Sequence, residues 1–303
     1  MRALHLIALA VVAVALGSAF LFIRVLVDAG MEPLGVGAAR TGVSLAVLTP
    51  IMFWQRALLP RDARIWAAMA GISVFNMTAP FILTPLALER VSSGTGAILG
   101  SSMPMITAVL AAFMIADERL TPTRVAGLML GFFGVVLLMS GGIGEESTAD
   151  AVLGIVYLLG AVSGYAIAAV FVRRWNHGLK ALPLTYIQLF FASCVLIPLA
   201  LMTSAYSDAA MGWAEWGSMA GLTVSATALA VLLFMWLIVE IGPVRASVVT
   251  YLFPPIGVTL GWLILDEPVG WTLLLSLVLI VGGVALVQAA KLPKWLIPRS
   301  ANR

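Results

Sequence analysis

The chain has 303 residues, 62% of them apolar and 10% charged, with a mean hydropathy of +1.08. Soluble domains are roughly half apolar and a quarter charged, so this composition excludes one and indicates an all-α integral membrane protein. The formal net charge of +3 comes from basic residues set between apolar runs, where they orient a chain in a bilayer; it gives no reason to expect nucleic acid as a partner.

Apolar runs of about twenty residues fall at 4–25, 33–54, 64–88, 92–115, 122–140, 151–172, 183–204, 214–239, 244–265 and 270–290. Each can cross a hydrocarbon core of about 30 Å at about 1.5 Å per residue, so ten transmembrane helices are expected. The first run follows Arg2 and is too long for the apolar region of a cleaved signal peptide, so it is read as a span. Alternating from a cytoplasmic N-terminus leaves only Arg24, Arg40 and Arg90 toward the outside. All other Lys and Arg fall inside, which predicts two cytoplasmic termini and an inner-membrane location.

Two stretches of the chain can be laid over one another, Glu89 to Gly134 and Glu240 to Gly283. Glu89 and Glu240 each stand fifteen residues before a proline, Pro104 and Pro255. An acidic pair follows in both, Asp117-Glu118 or Asp266-Glu267, with Gly134 or Gly283 sixteen residues beyond its glutamate. A repeat of this period divides the chain in two. The expected organisation is a first five-helix repeat at 1–144, an external linker at 145–150, a second repeat at 151–290 and a cytoplasmic tail at 291–303. Because five is odd, the second repeat enters from the opposite face, and inverted repeats around a central cavity are the architecture of secondary transporters.

The paired halves, Gly17-Ser18 in the first run, Pro33 and Arg40 in the second, and the proline motifs with their acidic pairs resemble the drug/metabolite transporter superfamily. Within it the chain is similar to the EamA family over nearly its whole length, and among its members to the YddG type of aromatic amino-acid exporter. The family often has a tryptophan before the glycine of the first helix; Leu16 stands there in this chain. The resemblance implies export of amino acids and related metabolites.

Polar and helix-breaking residues cluster halfway along certain runs. They give the candidate substrate-binding set: Ser18; Asn76, Thr78 and Pro80; Ser101, Ser102 and Pro104; Tyr165; Ser225 and Thr227; Trp236; Tyr251 and Pro255. Proline removes a donor and frees a carbonyl one turn earlier, which hydrocarbon cannot satisfy, so such residues mark a cavity, a hinge or a packing kink. Phe75, Phe81 and Phe253, with Tyr165, Trp236 and Tyr251, could stack an aromatic ligand or simply fill core. Trp54, Trp66, Trp213, Trp216, Trp271 and Trp295 lie at run ends, where an interfacial belt accounts for them. Arg40 offers a carboxylate anchor; the simpler reading has it snorkel outward or pair with Glu32 or Glu89. Gly127, Gly131, Gly134, Gly282 and Gly283 permit close helix approach, within one chain or across a homodimer.

No Asp or Glu lies at the centre of a run, and His5 and His177 sit at run ends, so no embedded proton relay is expected. A phosphate-binding loop, a nucleophile elbow and a metal-ligand cluster are all missing from the sequence, and Cys194 is a single cysteine, so neither cofactor nor metal is expected. The expected function is a secondary transporter exporting small metabolites, amino acids first, by alternating access, with the bilayer and a small-molecule substrate as its partners. The alternatives are a carrier of another metabolite or drug, and an integral membrane lipid-modifying enzyme.

Overall fold

The computed structural model describes residues 3–56, 59–114, 122–141, 148–175, 178–203, 211–241 and 246–289. Asp117-Glu118, residues 145–147 and the tail 291–303 lie outside them. The elements of the first half are α1 (Ala3–Asp28), α2 (Pro33–Trp54), α3 (Ala63–Ser73), a π-helix (Val74–Thr78), α4 (Ala79–Leu88), α5 (Ser93–Gly100), α6 (Met103–Met114) and α7 (Pro122–Gly141). The second half has α8 (Thr148–Trp175), α9 (Ala181–Met202), α10 (Trp213–Ala220), a second π-helix (Gly221–Leu229), α11 (Ala230–Ile241), a 3₁₀ segment (Ser247–Leu252), α12 (Phe253–Leu265) and α13 (Trp271–Ala289). All of these are helical. Among the described residues six helical rods are long and apolar enough to cross a membrane, and shorter apolar helices accompany them. Phe132, Phe133, Leu201, Leu263 and Val278 are exposed on outward faces. A chain apolar outside as well as inside is built for lipid, and this is a multi-pass membrane protein.

The closest associations run between the halves: α7 packs on α13, α2 on α9, α4 on α8 and α5 on α12. The α7–α13 seam rests on glycine. A Cβ placed on Gly283 would lie 2.5 Å from both the Gly127 carbonyl oxygen and the Gly131 nitrogen. The glycine packing read in the sequence is therefore made here within one chain, where small residues let backbones meet.

Helix interruptions recur at matched places. The third rod of each half carries a π-helix, α3 to α4 in the first and α10 to α11 in the second. In the first, Pro80 stands two residues past the widened turn, so the π turn lies where the missing proline donor disturbs the ladder. The next segment of each half is also broken, by a turn at Ser101-Ser102 and by the 3₁₀ segment before α12, where Pro254 and Pro255 take the second and third helical positions.

α5 begins with all four first-turn donors satisfied. Glu267, beyond the end of α12, accepts from Ser93 N at 2.7 Å, from Ser93 Oγ at 2.8 Å and from Gly94 N at 3.1 Å. Ser92 Oγ accepts from Thr95 N at 3.1 Å, and Ser92 O from Gly96 N at 3.0 Å. One carboxylate of the second half thus caps a helix of the first, where the helix dipole favours it.

Candidate functional site: a cavity between the halves

A cavity of about 100 Å³ lies between elements of both halves. Its apolar wall includes Phe20 of α1, Phe81 of α4, Phe234 of α11 and Phe253 of α12, and its polar residues are Arg40, Asn76, Thr84, Tyr165 and Thr250.

Arg40 is 4% exposed. Its Nε donates to Thr227 Oγ1 at 2.7 Å, and its guanidinium carbon sits 3.8 Å from the centroid of the Phe81 ring. The guanidinium also interacts with the Tyr165 side chain, which lies close to Thr84. Arg40 neither snorkels outward nor pairs with Glu32 or Glu89; it turns inward. The second π-helix explains part of this, because Thr227 Oγ1 donates to Leu222 O five residues back at 2.7 Å and so presents its lone pairs to Arg40. A desolvated cation needs compensation. Here neutral dipoles and an aromatic face supply it, which leaves the positive charge available to an anion entering the cavity.

Asn76 sits in the first π-helix, lines the cavity, and donates through Nδ2 to Gln188 Oε1 of α9 at 2.7 Å. Ser73 Oγ holds the same residue through its backbone, donating to Gln188 O at 2.6 Å.

The remaining candidates divide by what their polar atoms do. Ser18 Oγ donates to Ala15 O at 3.1 Å within α1. Ser101 Oγ donates to Ile98 O at 2.7 Å and Ser102 Oγ to Leu99 O at 2.6 Å, so this pair satisfies carbonyls at the helix break. Gly100, the residue whose carbonyl Pro104 offers no N–H, lines the cavity, while Pro104 itself is buried outside it. Pro80 packs near Gly164 of α8, 3.2 Å from where a Cβ on that glycine would stand. Thr78 and Ser225 are half-buried in the two π-helices. Trp236 lies on another face of α11, 5.3 Å centroid to centroid from His5. The Tyr251 hydroxyl is buried with no partner among the described residues, and Pro255 is exposed on α12 while Thr250 and Phe253 face the cavity. Of the candidate set, Asn76 and Tyr165 line the cavity and Thr227 braces Arg40 beside it.

The model of the EamA-like transporter family matches residues 3–140 and 152–289. The chain belongs to the EamA-like transporter family. Curated relatives include the uncharacterized transporter YvbV of Bacillus subtilis, 25% identical over 74% of this chain and 72% of its own length. Protein PecM of Dickeya dadantii is 25% identical over 76% of each, and the uncharacterized inner membrane transporter YedA of Escherichia coli is 23% identical over 93% and 89%. A protein of known crystal structure, 21% identical, superposes with a TM-score of 0.61 over 92% of this chain and 96% of its own, which supports the fold. Family and relatives point to a transporter rather than to an enzyme.

Sequence reasoning passed over Thr84, Phe20, Phe234 and Gln188. Gln188 had a signal, a primary amide inside an apolar run, of the same kind that singled out Asn76. The two phenylalanines had none, since apolar residues in a membrane span look alike whichever way they point.

Proposed function

We propose that the chain is a secondary transporter that exports small metabolites, with aromatic or other neutral amino acids as its cargo, by alternating access. One observation carries the reading: a buried arginine, held by Thr227, stands with Tyr165 in a cavity otherwise walled mainly by apolar and aromatic side chains. Arg40 would take the cargo carboxylate in charge-assisted hydrogen bonds, and Phe20, Phe81 and Phe253 would receive its side chain. Ligand pockets usually enclose about 300–1,000 Å³. A cavity of about 100 Å³ must therefore widen to admit an amino acid, as alternation between two open faces requires.

Counting α5–α6 as one interrupted span, and α7, the 3₁₀–α12 segment and α13 as spans, gives ten. We place them as two inverted sets of five around this cavity, with both termini cytoplasmic and the chain in the inner membrane. Among the described lining residues Arg40 is the one charged side chain, so a cargo ammonium would find no counter-charge. This favours a second reading, carriage of an organic acid that lacks an amine.

Uptake into proteoliposomes across a panel of amino acids, their amides and the corresponding deaminated acids tests both. Arg40→Ala is expected to abolish uptake. Arg40→Lys, which keeps charge but loses the planar fork, is expected to weaken apparent affinity by about tenfold or more. An Arg40→Lys protein with full transport and unchanged preference for carboxylate over amide would remove the role given to Arg40.

A further inference from the structure

A second recess, of about 810 Å³, opens at the surface between α1, α9 and α11, near the end of α2. Leu4, Ile7, Ala8 and Val11 line it from one face of α1, and Leu4 and Ile7 are 62% and 60% exposed. On α11 it is lined by Leu232, Leu233 and Trp236, whereas Val231, Phe234, Met235 and Ile238 turn to the cavity between the halves. At 100° per residue these two sets lie on opposite sides of the helix, so α11 separates the recess from the transport cavity.

The recess has two chemistries. Leucine, isoleucine and valine form its walls, while Arg56, just past the C-terminus of α2, and Lys180, the N-cap residue of α9, stand at one end with Gln55. Neither cationic side chain has a hydrogen-bond or ion-pair partner among the described residues, and no Asp or Glu belongs to the described lining. An apolar trough ending in two unpaired cations matches a molecule with a hydrocarbon chain and an anionic head. The bilayer around a multi-pass protein supplies that molecule at high local concentration.

We propose that this recess is a binding site for an anionic phospholipid. The phosphate lies between Arg56 and Lys180, and an acyl chain runs along Leu4, Ile7, Leu232 and Leu233. The trough accounts for selection of a lipid over a soluble anion, and the pair of cations for selection of an anionic over a zwitterionic headgroup. The site is independent of what the transport cavity carries.

Native mass spectrometry of the full-length, delipidated protein, offered equal amounts of phosphatidylglycerol and phosphatidylcholine, is the test. The unmodified chain is expected to retain phosphatidylglycerol preferentially. R56A/K180A is expected to lower that preference by roughly thirtyfold, from the loss of two basic side chains near the headgroup. R56K/K180R, which preserves both charges, is expected to keep it, and excess glycerol 3-phosphate is expected not to displace the lipid. Equal retention of both lipids by the unmodified chain, an unchanged preference in R56A/K180A, or displacement by glycerol 3-phosphate overturns the proposal.

Discussion

The hydrogen bond from Asn76 Nδ2 to Gln188 Oε1 joins side chains 112 positions apart and holds the first π-helix to α9. Replacing Asn76 by Ala leaves the Gln188 side chain, already 0% exposed, with its acceptor unpaired at a cost of about 1–2 kcal/mol. The expected result is a lower thermal unfolding midpoint in detergent for Asn76→Ala, largely recovered in Asn76→Leu/Gln188→Leu, where both amides are gone. A double variant as unstable as the single would mean that the amide pair is not the unit of stability here. Asn76 was legible in the sequence because an amide inside an apolar run must find a partner; the identity of that partner was not, since it is set by tertiary packing. Arg40 shows the same limit more sharply. Its depth along the second run makes snorkelling or pairing with Glu32 or Glu89 the simpler reading, and the inward turn rests on Thr227, 187 positions away, and on the ring of Phe81.

At the scale of elements, the acidic motif Asp266-Glu267 acts as the helix cap of another segment. Asp266 closes α12 in the left-handed conformation at φ 52°, which turns Glu267 back so that its N–H meets Gly261 O at 3.1 Å. Its carboxylate then receives the two backbone donors and the hydroxyl that open α5. Glu267→Gln would set an amide group against one of those donors and remove the charge that the helix terminus favours. A loss of about 1–3 kcal/mol follows, read as a fall in the unfolding midpoint, whereas a surface glutamate without this role would change it little. The repeat alignment marked this glutamate, but its partners lie 173 and 174 positions away. The breaks were legible from the prolines and serines; what the serines do there was not. A hydroxyl on a helix can face a cavity or bond the carbonyl a turn back, and Ser101 and Ser102 take the second course because the break leaves carbonyls to satisfy.

For the whole molecule, each half supplies one partner to each of the four most extensive helix pairs, so a cavity between the halves can widen only if some of those seams part. The α7–α13 seam is unsuited to that role, because Gly283 lies directly against the backbone of Gly127 and Gly131. The α5–α12 seam has a different character. Its carboxylate cap can exchange protein donors for water at modest net cost, and both its helices continue into the interrupted segments at Gly100 and Phe253 that line the cavity. A Cβ on Gly94 would stand 3.5 Å from Val258 Cα across this seam, close enough for a disulfide to form with little backbone movement. In a chain whose exposed Cys194 is replaced by Ala, Gly94→Cys/Val258→Cys is therefore expected to transport when reduced, to stop when oxidised, and to resume with dithiothreitol, while each single cysteine variant transports under both conditions. Undiminished transport by the oxidised protein would make α5–α12 a static seam and move the opening to α2–α9 or α4–α8, since those pairs also join the halves beside Arg40 and Asn76.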